Sequence, residues 1–149
     1  MRKTMTGITN PTEEYFKDGT WGWDGTQWRK QGILFGYRAT VNESISNTNA
    51  NAGINALNSA TVPAGELWII QLIGAMNVNT ACSRIAFFVY RTPTEYPVLD
   101  QVTCTANVWV TWAGNVVLKT GDYLKAYFLG CTAGDDIYLR YLGYKVSVT

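Results

Sequence analysis

The stretch that decides the fold is YLKAYFL, residues 123–129, near the end of the 149-residue chain. Leu124, Ala126 and Phe128 fall on one face, and the residues between them, tyrosines and a lysine, fall on the other. Successive side chains of a β-strand point to opposite faces of the sheet, so a period of two predicts a half-buried strand. No segment of useful length shows the period of a helix. The sequence therefore predicts an all-β protein.

Seven further segments of strand character precede or follow this stretch, with turn residues between most of them. The eight predicted strands are Gly32–Val41, Glu66–Val78, Cys82–Arg91, Val98–Thr103, Val108–Trp112, Val116–Lys119, Tyr123–Leu129 and Ile137–Val148. Short strands at regular spacing indicate a sandwich or a barrel. We expect an antiparallel β-sandwich of jelly-roll type over residues 32–149.

Three segments between or within these strands have a different character. Asn42–Ser59 is rich in Asn and Ser and is predicted to be a long loop or an irregular edge. Ala113–Asn115 contains a glycine and is predicted to be a turn. Glu66–Val78 is a nearly continuous apolar run, which is typical of a buried central strand.

The first 31 residues differ from the rest of the chain. Residues 1–12 are small and polar without periodicity, and they predict an extended arm. Residues 13–31 contain Asp18-Gly19 and Asp24-Gly25, each flanked by aromatic residues. Asp-Gly is a strong hairpin signal because glycine supplies the positive φ of a tight turn. We therefore predict a short aromatic β-meander here, and interpret residues 1–31 as an attachment segment.

Composition and charge exclude several classes of partner. Charged residues make up 15% of the chain and the net charge is +1, without a basic cluster. A nucleic-acid-binding protein needs a basic face, so nucleic acid is not an expected partner. No apolar stretch reaches the length of about 18 residues needed to span a membrane. The basic N-terminus lacks an apolar h-region, so no signal peptide is predicted.

The residues of common active sites are missing or isolated. The sequence contains no histidine, which removes Ser-His-Asp and Cys-His catalysis. Cys82, Cys104 and Cys131 are widely spaced without a Cys-x-x-Cys pair, so we predict small buried side chains and neither a zinc site nor a disulfide framework. We expect no enzymatic activity and no cofactor.

Asp135 and Asp136 are the one pair of carboxylates that suggests a cation. They follow Gly134, and Asp122 is a candidate neighbour in the fold. Calcium takes about six to eight oxygen ligands, more than these acids supply. We interpret the pair as a polar turn whose carboxylates cap backbone amides, and we predict no metal site.

Several turn motifs resemble those of a known group of proteins. They are VPAGELW at 62–68, LKTGDYLKAY at 118–127 and LGYKVSV at 142–148. These motifs are similar to those of small jelly-roll proteins on the particles of tailed bacteriophages and, more distantly, of trimeric tumour-necrosis-factor and C1q-like sandwiches. The segment WGWDGTQWRK at 21–30 resembles short repeats of phage tail and adhesin proteins.

The resemblance implies a virion surface protein, usually a trimer, that decorates the capsid or forms a head fibre or tail appendage. We therefore expect a capsid decoration protein that binds the major capsid protein or another virion protein through its N-terminal segment. It would be made in the host cytoplasm and lie on the virion surface. The alternative is a carbohydrate- or receptor-binding module of a tail or fibre tip, with a host-surface glycan as its partner.

Exposed aromatic residues are the candidates for such contacts because Trp and Tyr are enriched in interfaces. The tryptophans of the meander have three possible roles: stacking on sugars, anchoring an interface, or forming a small local core. Trp109 and Trp112 lie three apart and should face opposite sides of a strand. The predicted interface residues are Tyr15, Phe16, Trp21, Trp23, Trp28, Tyr123, Tyr127, Tyr138 and Leu142.

Overall fold

The computed structural model describes residues 20–23, 28–31 and 37–147, with side chains from residue 39 onward. The described residues form ten strands. The strands are β1 (Thr20–Trp23), β2 (Trp28–Gln31), β3 (Tyr37–Asn47), β4 (Gly53–Asn58), β5 (Glu66–Asn77), β6 (Cys82–Arg91), β7 (Thr94–Cys104), β8 (Val110–Leu118), β9 (Tyr123–Cys131) and β10 (Ile137–Ser147). The all-β prediction is confirmed. Within these ranges there is no helix of the length and apolar character needed to cross a membrane.

The chain divides into two compact units between Tyr37 and Arg38. In the first unit β1 pairs antiparallel with β2, and Trp23 lies directly opposite Trp28. This hairpin spans Asp24-Gly25, where the sequence predicts a turn. The predicted arm and the Asp18-Gly19 turn lie outside the described residues. The sequence-based boundary after residue 31 falls within the first unit.

The second unit consists of two antiparallel four-stranded sheets, and the predicted β-sandwich is confirmed. The front sheet has the order β3-β10-β5-β8, and the back sheet has the order β4-β9-β6-β7. The hydrogen-bonded pairs are nested: β3 with β10, β4 with β9, β5 with β8 and β6 with β7. The four nested pairs alternate between the two sheets, and the jelly-roll type stays a prediction.

A single core fills the space between the sheets. From the back sheet, the alternating residues Leu124, Ala126 and Phe128 of β9 are buried, as their period predicted. The front sheet contributes buried Ile70 and Leu139, among others, to the same cluster. Each fully buried large aliphatic or aromatic side chain contributes about 1.5–3 kcal/mol relative to an exposed one. The core therefore holds the two sheets face to face.

Of the two alternatives for residues 42–59, the long loop is wrong, because β3 extends to Asn47 and β4 occupies Gly53–Asn58. Both are edge strands of their sheets, as the alternative of an irregular edge predicts. In β4 the buried residues Asn55 and Leu57 alternate with exposed ones. The polar Asn55 obscured that period in the sequence. Its side chain is satisfied locally, since Asn51 N donates to Asn55 Oδ1 at 2.9 Å and Asn55 Nδ2 donates to Asn51 O at 2.7 Å. A buried asparagine with both groups paired is compatible with a strand.

The predicted turn at Ala113–Asn115 is a bulge within one continuous strand, β8. Across from it on β5, Ile70 pairs with Val116, whereas Leu72 pairs with Ala113. Two residues of β8 therefore stand opposite the single residue Gln71. Glycine is typical both of turns and of bulges, and composition alone does not distinguish the two.

The start of β7 also differs from the prediction, because the strand begins at Thr94 and includes Pro97. β7 is the edge strand of the back sheet. Within sheets, proline is confined largely to edge strands and bulges, and Pro97 is paired with Phe88 next to a register shift.

A second bulge lies where β5 pairs with β10: Leu142 pairs with Leu72 and Gly143 with Ile70, so Gln71 of β5 is the extra residue. The close approach at this point requires glycine at position 143. A β-carbon at Gly143 would lie 2.0 Å from Ile69 O and 2.8 Å from Ile70 Cα. Both of these atoms belong to the backbone of the central strand β5, and neither moves without disturbing the sheet. The glycine therefore allows β10 to approach β5 closely at the point where their register shifts.

We expect Gly143→Ala to lower the free energy of unfolding by about 3 kcal/mol or more, because the new methyl group overlaps backbone atoms. The control is Gly134→Ala. Gly134 has a φ of +88° and open space around its β-carbon position, so strain alone should cost about 1–2 kcal/mol. Urea denaturation followed by circular dichroism measures both, and equal losses would contradict the steric argument.

Candidate functional site

The outward side of the front sheet carries a continuous strip of apolar side chains. Cross-strand pairing places Leu142 beside Leu72, and places Ile69 between Tyr144 and Val117. The exposed fractions of Leu72, Leu142 and Val117 are 38%, 39% and 45%. We call the outward residues of β5, β8 and β10 the apolar face. Its apolar members are Leu67, Ile69, Leu72, Met76, Ala113, Val117, Tyr138, Leu142, Tyr144 and Val146.

The apolar face explains the unbroken apolar run of β5. The inward residues Trp68, Ile70 and Ile73 are buried in the core, whereas the intervening Ile69 and Leu72 point the other way. The run predicts a strand covered on both sides. In the second unit only the inward side of β5 packs against another sheet. The solvent side of an antiparallel sheet is usually polar, but the outward side of β5 is apolar. The outward side of β5 therefore has the composition of a buried surface.

Arg140 is the one charged residue at the outward positions of β5, β8 and β10 within residues 66–147. Its Nε donates to Ser44 Oγ on β3 at 3.3 Å. Its guanidinium carbon also lies 5.1 Å from the centre of the Trp109 ring, within range of a cation–π interaction. Arg140 therefore marks a polar boundary within the apolar face, between Tyr138 and Leu142 on β10, and it also reaches the edge strand β3.

A groove of about 370 Å³ opens at this boundary. Trp109 lies over Gly74, where a β-carbon would come within 3.2 Å of Trp109 Cε3. Trp112 instead packs against the core, so the two tryptophans face opposite sides as predicted. The residues lining the groove are Asn42, Leu72, Gly74, Trp109, Thr111, Arg140, Tyr141 and Leu142. The groove thus combines aliphatic and aromatic walls with three polar side chains.

The outward side of the back sheet is more polar, and its charges are internally paired. Lys125 Nζ lies 2.8 Å from Glu95 Oε1, and Tyr127 Oη donates to the same oxygen at 2.9 Å. The ammonium of Lys125 holds the pKa of Glu95 below its usual value, and the Tyr127 hydroxyl adds to the effect. A further ion pair joins Arg84 to Asp100. These groups satisfy one another and leave few unmatched charges for a partner.

The predicted interface residues of the sandwich lie on two different surfaces. Tyr123 stacks on Tyr90 on the back sheet, with ring centres 4.8 Å apart. Tyr127 lies on the same side, whereas Tyr138 and Leu142 belong to β10 of the front sheet. The four residues therefore do not form one contact patch on a single chain, and only the β10 pair joins the apolar face.

The remaining predicted interface residues lie in the first unit. β1 contains Trp21 and Trp23, and β2 begins at Trp28. The structure describes the backbone of these three residues and not their side chains. Tyr15 and Phe16 lie outside the described residues. Their role in an interface stays a prediction.

Asp135 stabilises a turn, in agreement with the sequence interpretation. Its Oδ2 accepts hydrogen bonds from Asn77 Nδ2 at 2.7 Å, Thr80 Oγ1 at 2.5 Å and the Thr132 amide at 2.8 Å. Burial alone would raise the pKa of Asp135, but these donors together hold it below its usual value. The carboxylate therefore ties the β9–β10 turn to the end of β5.

Asp122 does not join Asp135 but makes its own contacts. Arg91 Nη2 and Nε lie 2.7 and 2.9 Å from Asp122 Oδ2, and the Lys119 amide donates to it at 2.9 Å. Burial alone would raise the pKa of Asp122. The hydrogen bonds from Arg91 and from the Lys119 amide outweigh burial, and the pKa lies below its usual value. No group of three or more acidic, cysteine or histidine side chains suited to a metal ion occurs among the described residues.

We expect Asp135→Asn to lower the free energy of unfolding by about 1–3 kcal/mol near pH 7. The donors on Asn77, Thr80 and Thr132 would then face a neutral amide in place of a charged carboxylate. The depressed pKa of Asp135 means that its stabilisation is complete above the unfolded value of about 3.9 and is lost as the pH falls through the lower folded value. The wild type should therefore lose more stability than the variant between about pH 5 and 2.

Thermal melts across that pH range measure this difference. The half-exposed neighbour Asp136 provides the control, since Asp136→Asn should melt like the wild type at pH 7. Parallel pH profiles of the wild type and Asp135→Asn would contradict the assigned role.

No protein-family model and no curated protein matches this sequence. The solved structures that are weakly similar to this chain include the following two. One, described as "Bacillus endospore appendages form a novel family of disulfide-linked pili", is 12% identical with a TM-score of 0.40, over 81% of this chain and 100% of that chain.

The second, described as "Structure of infectious bursal disease virus Gx strain", is 14% identical with a TM-score of 0.32, over 96% of this chain and 43% of that chain. This chain therefore matches less than half of the length of that protein. Likenesses this distant carry no inference about function.

Proposed function

We propose that this chain is a non-enzymatic structural protein that associates with copies of itself through the apolar face. The observation that carries the proposal is the two-sided apolar character of β5. Ile70 and Ile73 are buried in the core, while Leu72 on the other side of the same strand is 38% exposed. Contiguous exposed apolar surface of this kind marks interaction sites. A second copy that covers the strip would bury the outward side of β5, whose residues are as apolar as those on its buried side.

The size of the strip indicates how much more contact is needed. From Leu67 to Met76 the outward side of β5 is about 30 Å long, and three strands are about 14 Å wide, or roughly 400 Å². A stable interface buries about 800 Å² on each partner. The apolar face would thus form the centre of the interface. We propose that the polar outward residues of β3 supply the rim.

We further propose the specific form of this role: a homotrimeric decoration protein on the surface of a tailed-phage capsid. The turn motifs that resemble small phage jelly-roll proteins support it, as does a neutral sandwich preceded by an aromatic hairpin. In this proposal residues 1–31 bind the major capsid protein or another virion protein. The sandwich then makes the contacts between copies.

Binding of a glycan is the second candidate function, and the groove at Trp109 favours it. An indole beside the side chains of Asn42, Thr111 and Arg140 offers an apolar surface next to hydrogen-bonding groups. Ligand sites commonly combine apolar walls with a few polar groups that fix orientation. Because Leu72 and Leu142 line both the groove and the apolar face, a sugar and a second copy would compete for them.

The double substitution Leu72→Lys with Leu142→Lys tests self-association. Light scattering of the wild type should give about three times the chain mass of 16.6 kDa. The variant should be a monomer, because adjacent like charges at the centre of an interface are costly to desolvate. The matched control is Ile54→Lys with Val102→Lys on the back sheet, where the exposed fractions are 66% and 62%.

The control should keep the mass of the wild type. A monomeric wild type, or a control that dissociates as readily as the front-sheet variant, would contradict assembly through the apolar face. Circular dichroism of each variant establishes that it is folded.

A glycan array tests the second candidate. If the groove binds sugars, wild-type binding should fall at least tenfold in Trp109→Ala, since the indole is its largest wall, and persist in Ile54→Lys. Absence of any bound glycan, or equal binding by Trp109→Ala, would reject the groove as a sugar site.

A further inference from the structure

The three cysteines, far apart in sequence, form one row across the end of the back sheet. Cys82 of β6 is paired directly with Cys104 of β7. The β6–β9 pairing ends at Arg84 and Leu129, and Cys82 and Cys131 each lie two residues beyond this last pair. The Sγ atoms of Cys82 and Cys131 are 3.9 Å apart. All three thiols are buried and none is in a disulfide.

We infer that Cys82 and Cys131 are an intramolecular disulfide site that closes when the protein meets a peroxide. One thiolate attacks the peroxide and becomes a sulfenic acid, releasing hydroxide or water. The second thiol then attacks the sulfenic sulfur, forming the S–S bond and releasing water. In total, two thiols and one hydrogen peroxide give one disulfide and two waters. This inference is independent of the proposed function.

The backbone geometry suits this bond. A disulfide needs an S–S distance of about 2.05 Å and a Cα–Cα distance of about 4.4–6.8 Å. Directly opposed residues on antiparallel strands have Cα atoms about 4.5–5.5 Å apart, within that range. The sulfurs start 3.9 Å apart, and rotation about the Cα–Cβ bonds brings them together.

Cys104 is the less suitable partner for Cys82. Its Sγ donates to Gln101 O at 3.3 Å and is thus engaged by its own strand. The sulfur of Cys131, in contrast, contacts Cys82 directly. Cys82 also accepts a hydrogen bond from Asn77 Nδ2 at 3.4 Å, which positions its sulfur. The geometry therefore distinguishes one pair among three cysteines.

Burial determines which oxidant reaches the pair. Cys82 and Cys131 are 3% and 5% exposed. Burial, with the neighbouring thiol of Cys82, raises the pKa of Cys131 to about 12. Because the thiolate is the reactive form, oxidation should be slow and should favour a molecule as small as hydrogen peroxide over a bulky disulfide reagent. Such a bond would form after the protein leaves a reducing compartment and would fasten β6 to β9.

The experiment is oxidation of the folded full-length chain with hydrogen peroxide. N-ethylmaleimide then labels the remaining thiols in denaturant, and peptide mapping locates the bond. Reduced protein should take up three labels and oxidised protein one, with Cys82 joined to Cys131. The bond spans 49 residues, and the melting temperature should rise by on the order of 10 °C and return with dithiothreitol.

Two alanine variants make the assignment specific. Cys104→Ala should still form the bond and gain thermal stability on oxidation. Cys131→Ala should keep both of its remaining thiols and gain no thermal stability on oxidation. Like Cys104→Ala, it removes one buried sulfur, so the two variants are matched. Melting of the reduced forms shows whether each variant is folded.

Three unbonded thiols in the oxidised wild type would overturn the inference. A bond between Cys82 and Cys104, or between two chains, would overturn it as well.

Discussion

The central strand β5 is apolar on both sides, and a two-layer sandwich covers only one of them. Ile70 and Ile73 meet the back sheet in the core, while Ile69 and Leu72 point away from it. The inward side brings the two sheets together, so the sandwich depends on it. The outward side has the same composition, and neither sheet of the second unit covers it. The main structural feature of the protein and its candidate interaction surface therefore originate in one strand.

The register between β5 and each of its two neighbours shifts at Gln71. On one side Gly114 and Asn115 of β8 stand opposite Gln71, and on the other Gly143 of β10 lies against the backbone of Ile69. Bulges increase the local twist of a sheet. Both shifts occur near Leu72, at the middle of the apolar face. The shape of this surface is thus determined by close backbone contacts as well as by its side chains.

The two outer surfaces of the sandwich differ in how their polar groups are satisfied. On the back sheet Lys125, Glu95 and Tyr127 pair with one another. On the front sheet the isolated Arg140 reaches Ser44 and Trp109 at the margin of an apolar strip. Exposed ion pairs contribute little to stability and are easily solvated. The front sheet therefore has more to gain from a partner than the back sheet.

The sequence by itself determined the all-β class, the alternating burial of β9 and the buried state of the cysteines, because each follows from local pattern and composition. It did not identify β4, since the buried Asn55 hides the period, nor the bulge at Gly114, since bulges and turns use the same residues. Tertiary structure alone decided that Cys82 meets Cys131, that Tyr138 and Tyr123 lie on opposite sheets, and which side of β5 is uncovered. These features depend on the register of strands distant in sequence, and register is set by the packing of the whole core.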